Sequence, residues 1–424
     1  MNFFKNKNVC FVTLIVIIFL SACEPDTKWK GQAPIKKVLT KTVPIQLQYK
    51  GIFNLGDGVF MSNNYDGARL SGVARSNDTL ISVLVTSENS PINPSPWYGF
   101  KIWSETKKEI NVKLTYHADA FHRYNPKISR DGSNWKELDS LKYKVVMKKM
   151  MKREVPENLT MQISVSKDTL WVSAQELYTS TKVNIWTDGL LTKAFVLKSK
   201  IGESKQGKPI NLLKIGTSDD KKMVMIISRQ HPPEVTGFLA MMAFVETVAS
   251  DNEIAKKFRA QYNMYVVPMV NPDGVDNGHW RHNFGGIDLN RDWEDFNQPE
   301  TRAIRDFMKQ KVAQTGGKFY AGIDFHSTWQ DIFYTITPDL KGNMPGLIPK
   351  TIGAMSQEIA GYSPNIRPSP GTGNKITSSS FFFFEFGAES LTYEVGDNTP
   401  REFLREKGEV FALKLMEQML EAKK

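Results

Sequence analysis

The chain carries only two cysteines among its 424 residues, Cys10 and Cys23. A scaffold stapled by several disulfides is excluded, and so is a structural zinc site built from four thiolates. No internal repeat is present, which removes solenoids and propellers. The single low-complexity tract, Ser378–Phe384, is too short to be a linker. One-signed charge is also scarce. A formal charge of +10 is a modest excess for this length and is no nucleic-acid signature. What remains is ordinary: 41% hydrophobic and 24% charged residues. That is ample apolar material for two or three packed domains.

The first 22 residues bear on the compartment. Lys5 and Lys7 precede an apolar run from Val9 to Leu20, too short to span a bilayer comfortably and suited to a signal peptide. Leu20-Ser21-Ala22-Cys23 follows and resembles the bacterial lipobox, which implies a lipidated Cys23 at the mature N-terminus. Cys10 would leave with residues 1–22. The mature chain then has neither disulfide nor thiolate ligand, and a metal site must be made from His, Asp and Glu. Glu24, where an Asp would signal inner-membrane retention, points to the outer membrane of a bacterial cell envelope.

Residues 23–44 show no periodicity and are expected to be a tether. Residues 45–172 read as β. Ile110, Val112, Leu114 and Tyr116 alternate with polar residues, as do Tyr98, Phe100 and Ile102, and Asp131-Gly132 marks a turn. An antiparallel β-sandwich is predicted there. From 173 to 424 strand-like and helix-like runs alternate, which predicts an α/β domain. Expected strands are Met223–Ile227, Met264–Pro268, Phe319–Phe325 and Ser390–Tyr393. Expected helices are Gly237–Ala249, Pro299–Ala313 and Phe403–Leu420, with Ser173 opening a short helical segment.

Gly202–Lys208 has most of a phosphate-binding loop, but Pro209 stands where the magnesium-binding hydroxyl belongs. A turn before a strand at Ile210–Ile215 is the better reading. A metal constellation is more persuasive. His231-Pro-Pro-Glu234 follows one apolar strand, His326 ends a second, and Glu394 ends a third. Ligands of open α/β sheets bind outside the carboxyl ends of the strands, so the three strands offer these side chains at one edge. Catalytic zinc takes three protein ligands and keeps a position open.

With these residues the sequence resembles the zinc carboxypeptidase (metallocarboxypeptidase) family. The motifs occur in the family's order: His231-x-x-Glu234, Asn271-Pro-Asp-Gly274, Arg281, Asp288-Leu-Asn290-Arg291-Asp-Trp293, His326-Ser327 and Thr392-Tyr-Glu394-x-x-Asp397. The resemblance spans about residues 175–424. It implies a mixed central sheet flanked by helices. The segment Asn93-Pro-Ser-Pro-Trp97-Tyr98-Gly-Phe100 resembles the β-sandwich that precedes the catalytic domain of cytosolic-type carboxypeptidases and bacterial relatives.

By the resemblance, His231, Glu234 and His326 hold one zinc per chain. Glu394 is the general base that activates water, Arg281 stabilises the oxyanion, Asn290 and Arg291 grip the substrate's terminal carboxylate, and Asp288 orients His231. His279 and His282 flank Arg281, where a substrate contact is one reading, and are expected to be exposed loop residues. The family's substrate-closing tyrosine has no match in Pro368–Phe384. The pocket floor is expected near Ser379 or Ser380, with Lys375 close by. The implied activity is removal of C-terminal residues from peptides by an exported, lipid-anchored enzyme. Two alternatives stand beside it: a peptidoglycan stem-peptide hydrolase or amidase using the same zinc site, and an inactive surface binding module. Oligomeric state is not legible.

Overall fold

A computed structural model describes residues 31–422 except 118, 151 and 152. The expected signal segment and Cys23 lie outside the described residues. From residue 31 the expected tether is docked backbone rather than free chain. The Thr40 carbonyl accepts from Gln298 Nε2 at 2.6 Å and its hydroxyl from Asn297 Nδ2 at 2.9 Å, while Val43 N donates to Gly285 O at 2.9 Å.

Two β-sheets follow. One has six strands, in the order Ile52–Asn54, Val59–Ser62, Gly99–Ser104, Leu170–Ser173, Lys127–Ser129 and Lys136–Glu137. The other has five, in the order Gly72–Arg75, Leu80–Val85, Lys108–Tyr116, Arg153–Val165 and Tyr143–Met150. Ile110, Val112 and Leu114 turn inward, as their alternation predicts, and join Phe100, Ile102 and Val172 in one core. Neighbours pair antiparallel throughout, with one exception: Leu80–Val85 runs parallel to Lys108–Tyr116. Ser173 ends a strand instead of opening a helix. The next helix is Ser180–Leu190, where the Thr179 side chain accepts from Lys182 N.

The remaining residues build an eight-stranded mixed sheet. Its order is Val196–Glu203, Pro209–Ile215, Asn263–Val267, Lys222–Ser228, Lys318–Thr328, Glu389–Gly396, Ile332–Thr335 and Ile366–Pro368. The four strands from Asn263–Val267 to Glu389–Gly396 run parallel to one another, and the strands beyond them pair antiparallel, Pro209–Ile215 with Asn263–Val267 and Ile332–Thr335 with Glu389–Gly396. The four parallel strands are apolar on both sides because helices cover both faces. Val235–Val248 and Arg401–Glu421 pack on one face with Phe244, Phe325, Tyr393 and Phe411. Pro299–Thr315 and Ser378–Phe386 serve the other, with Trp293, Phe319 and Phe382. Gly202–Lys208 is the turn of a hairpin, and Lys208 pairs with Asp276. That arrangement leaves no phosphate cradle there.

Candidate metal centre and active site

All the candidate ligands stand at the carboxyl end of the parallel strands. The Lys222–Ser228 strand runs into Gln230 and His231. Glu234 is the N-cap residue of the Val235–Val248 helix, where the helix dipole favours a carboxylate. His326 and Glu394 are register partners on neighbouring parallel strands. The helix and the His326 strand are drawn tightly together. A Cβ on Gly237 would lie 2.2 Å from the His326 carbonyl oxygen, so only glycine fits. The Ser327 hydroxyl accepts from Gly237 N at 2.8 Å and from the Thr236 hydroxyl at 2.9 Å. This stitching fixes how far Glu234 stands from His326.

His231, Glu234 and His326 are buried, and one ligand atom of each lies within 4.8 Å of the others. His231 Nδ1 is 2.8 Å from Glu234 Oε1, and His326 Nδ1 is 2.6 Å from Glu234 Oε2. The opposite ring nitrogens are held as well. His231 Nε2 lies 2.8 Å from Asp288 Oδ1, and His326 Nε2 lies 2.7 Å from Asp324 Oδ2. A carboxylate at Nε2 keeps the proton there and leaves the Nδ1 lone pair for a metal. Two such imidazoles and one carboxylate are a zinc donor set. Burial opposes the charge on Glu234, but the two histidines outweigh it and hold the carboxyl below its usual range. His326 is also buried, yet Asp324 and Glu234 raise it well above an ordinary histidine.

Asp324 is a site residue that the sequence motifs do not single out. It is fully buried and also accepts from Gln230 Nε2 at 2.5 Å and from the Ser378 hydroxyl. It stands to His326 as Asp288 stands to His231. The available signal was its i−2 spacing on a strand, which puts both side chains on one face.

Around this centre the structure gathers the other predicted residues. Asp288 Oδ2 accepts from Arg281 Nε at 2.7 Å, and Oδ1 from Asn290 N at 2.9 Å. Asn290 Nδ2 is 3.4 Å from His326 Nε2, and its Oδ1 accepts from Ser378 N at 3.0 Å. Arg291 anchors one Nη1 on the Asn290 carbonyl at 2.8 Å. Glu394 has one carboxylate oxygen, Oε2, buried without a partner. Burial, with the Glu234 charge beside it, pushes the Glu394 carboxyl up to about 7.

The other motif residues brace the site. Asn271 accepts from Gly274 N at 2.9 Å and donates to the Gln230 carbonyl at 3.0 Å, just before His231. Trp293 Nε1 donates to Gln230 Oε1 at 2.9 Å. Asp397 pairs with Arg123 of the sandwich at 2.7 Å, both buried. His279 and His282 are buried rather than exposed, because the loop carrying them is packed beneath the sandwich. Ser379 is buried and accepts from the Thr392 hydroxyl at 3.0 Å. Lys375 is engaged by Glu385, which also holds Lys309. Tyr334 stands opposite Thr392 on the strand beside that of Glu394. Two cavities of about 580 Å³, lined among others by Trp135 and by Trp186, include none of the predicted site residues.

Residues 186–345 match the family model described as zinc carboxypeptidase. A metallo-carboxypeptidase from Burkholderia cenocepacia superposes with a TM-score of 0.68 at 19% identity, covering 85% of this chain and 99% of that one. A metallo-carboxypeptidase from Pseudomonas aeruginosa, solved with (2-guanidinoethylmercapto)succinic acid, gives 0.68 at 19% identity, covering 86% and 100%. These likenesses establish the fold, sandwich included. Cytosolic carboxypeptidase 6 of Mus musculus is 28% identical over 169 residues, which are 37% of this chain and 31% of that protein. The match thus spans about a third of that relative's length.

Proposed function

We propose that the protein is a zinc metallocarboxypeptidase that hydrolyses C-terminal peptide bonds. The observation that carries this is the convergence of two carboxylate-backed imidazole Nδ1 atoms on Glu234, with Glu394 on the next strand as a carboxyl poised near neutrality. Zinc held by His231, Glu234 and His326 would supply a Lewis acid that polarises the scissile carbonyl and acidifies water. Glu394 takes the proton of the attacking water and returns it to the departing amine, a task suited to a group with a pKa near the working pH. Arg281 has Nε committed to Asp288, so its Nη groups are the ones to meet the developing oxyanion. Asn290 and Arg291 receive the terminal carboxylate, which a guanidinium fork fits in plane.

We also propose export and lipid attachment through Cys23, supported by the Lys5/Lys7, apolar-run and Leu-Ser-Ala-Cys order of the N-terminus. A bacterial outer membrane is the proposed address, and peptides reaching that compartment are the substrates.

The test is mass spectrometry of a peptide library, and separately of muropeptides, incubated with the chain lacking residues 1–23. Stepwise loss of C-terminal residues, abolished by chelation and restored by zinc, is expected. Cleavage unaffected by chelation rejects the zinc reading, and cleavage of muropeptides alone transfers the activity to the cell wall. A mature protein starting elsewhere than Cys23 rejects the anchor.

A further inference from the structure

One buried carboxylate at the site belongs to the sandwich domain and has no part in the chemistry proposed above. Glu88 lies in the loop after the Leu80–Val85 strand and is fully buried. It reaches across to the segment that carries Arg281. Its Oε1 accepts the backbone N–H of Arg281 at 3.0 Å and of His282 at 2.7 Å, and its Oε2 accepts that of Trp280 at 2.8 Å. Three successive peptide N–H groups directed at one carboxylate form an anion nest. Such charge-assisted bonds are roughly twice as strong as neutral ones. They fix the peptide planes on both sides of the Arg281 Cα.

The neighbouring contacts repeat the attachment. Asn89 Nδ2 donates to Gly286 O at 2.9 Å, and Asn89 Oδ1 is 2.5 Å from His282 Nδ1. Trp280 Nε1 donates to the Trp97 carbonyl at 3.0 Å. The segment Asn277–Ile287 contains no strand and no helix of its own, so its course is dictated by these side chains.

We infer that Glu88 is a positioning residue for the reaction, aiming Arg281 from the sandwich domain through three backbone hydrogen bonds. The sandwich is therefore part of the catalytic apparatus and not an appendage to it. This rests on Arg281 as the oxyanion donor. Glutamine at 88 keeps the shape but replaces one acceptor with an amide NH2, which meets a peptide N–H head-on. The loop then shifts while the zinc ligands stay in place, His326 on its strand and His231 and Glu234 in the turn between the Lys222–Ser228 strand and the Val235–Val248 helix.

The experiment is a double-mutant cycle on the zinc-loaded chain: wild type, Glu88→Gln, Arg281→Ala and both together, with zinc content, kcat and KM measured for each. Glu88→Gln should retain zinc and KM and lose kcat about ten- to hundredfold, the scale expected of a displacement near 1 Å. In the Arg281→Ala background the same change should lower kcat less than about twofold, because residues acting through one another are not additive. An equal loss in both backgrounds overturns the inference. Wild-type kcat in Arg281→Ala would instead reject the oxyanion assignment and leave Glu88 without its target. Glu88→Asp keeps the charge on a shorter arm. It provides the same cycle if the glutamine variant is insoluble, with a smaller loss expected in the wild-type background and none in Arg281→Ala.

Discussion

The two halves of the site are held by different means. His326 and Glu394 sit on adjacent parallel strands, paired by the backbone ladder itself, and Ser327 ties the Glu234 helix to the same edge. Arg281, Asp288, Asn290 and Arg291 lie in irregular chain with a single short 3₁₀ turn. Buried side chains hold that chain. Asn283 Oδ1 accepts from Gly285 N at 3.0 Å and Ile287 N at 3.1 Å, Asp292 accepts from Gln298 N at 2.8 Å, and Glu88 reaches in from the sandwich. The ladder half takes its spacing from its own sheet and helix, with Arg123 donating to the Ser327 carbonyl at its edge. The loop half depends on a neighbour. Disturbing the contact between Glu88 and the Arg281 segment should therefore damage transition-state chemistry before it damages metal binding.

Glu394→Gln probes the ladder half most severely. Glutamine cannot accept the water's proton, so kcat should fall on the order of 10²–10⁴-fold, with zinc content and KM nearly unchanged. A variant that loses zinc would make Glu394 a ligand, and one with wild-type kcat would remove it from the mechanism.

Acid probes the interface that supports the loop half. Burial would raise the Glu88 carboxyl, yet His279, His282 and Arg69, with the Trp280 N–H, bring it from 4.5 down to about 2. The folded value lies below the unfolded one. Its contribution is thus present above about pH 4.5 and is lost as the pH falls towards 2. At about 1.36 kcal/mol per pH unit, that is roughly 3 kcal/mol. Acid unfolding of the wild type should be steeper than that of Glu88→Gln across this window. Superimposable curves would show that Glu88 is not held as an anion.

Amidating the peptide C-terminus tests the substrate end of the loop half. It leaves Arg291 facing a neutral group, and the loss of such a pairing is on the order of 2–5 kcal/mol, or about 30-fold or more in kcat/KM. Equal rates on acid and amide would point to internal bonds.

The sharpest comparison is the pair of aspartates behind the histidines. Asp324→Asn and Asp288→Asn should each weaken zinc binding about 10- to 100-fold. At saturating zinc only Asp288→Asn should also lower kcat, since Asp288 alone holds Arg281 Nε. Equal kcat for the two would dissolve the distinction between the halves.

Most of the ladder half was legible in the sequence. His231, Glu234, His326 and Glu394 each follow or end an apolar run, and strand ends are where α/β sheets present ligands. The Ile110–Tyr116 alternation likewise predicts its strand, seen at Lys108–Tyr116. The loop half was legible as residues without their supports. His279 and His282 read as exposed because polar residues in a Gly- and Asn-containing stretch resemble a surface loop. Nothing local to Trp280–His282 announces that a carboxylate 192 or more positions earlier will cover them.

What the sequence determined by itself was the period of strands such as Lys108–Tyr116 and helices such as Val235–Val248, the turn at Gly202–Lys208 and the chemical identity of the donor set. These depend on neighbours a few residues away. The tertiary structure alone decided that Asp324 shares the work of Asp288, that residues 31–44 dock, and that Glu88 and Arg123 of the sandwich close on Arg281 and Asp397. Such pairings join groups far apart in the chain. Burial is what makes them obligatory, because a carboxylate removed from water must find its hydrogen bonds wherever the fold supplies them.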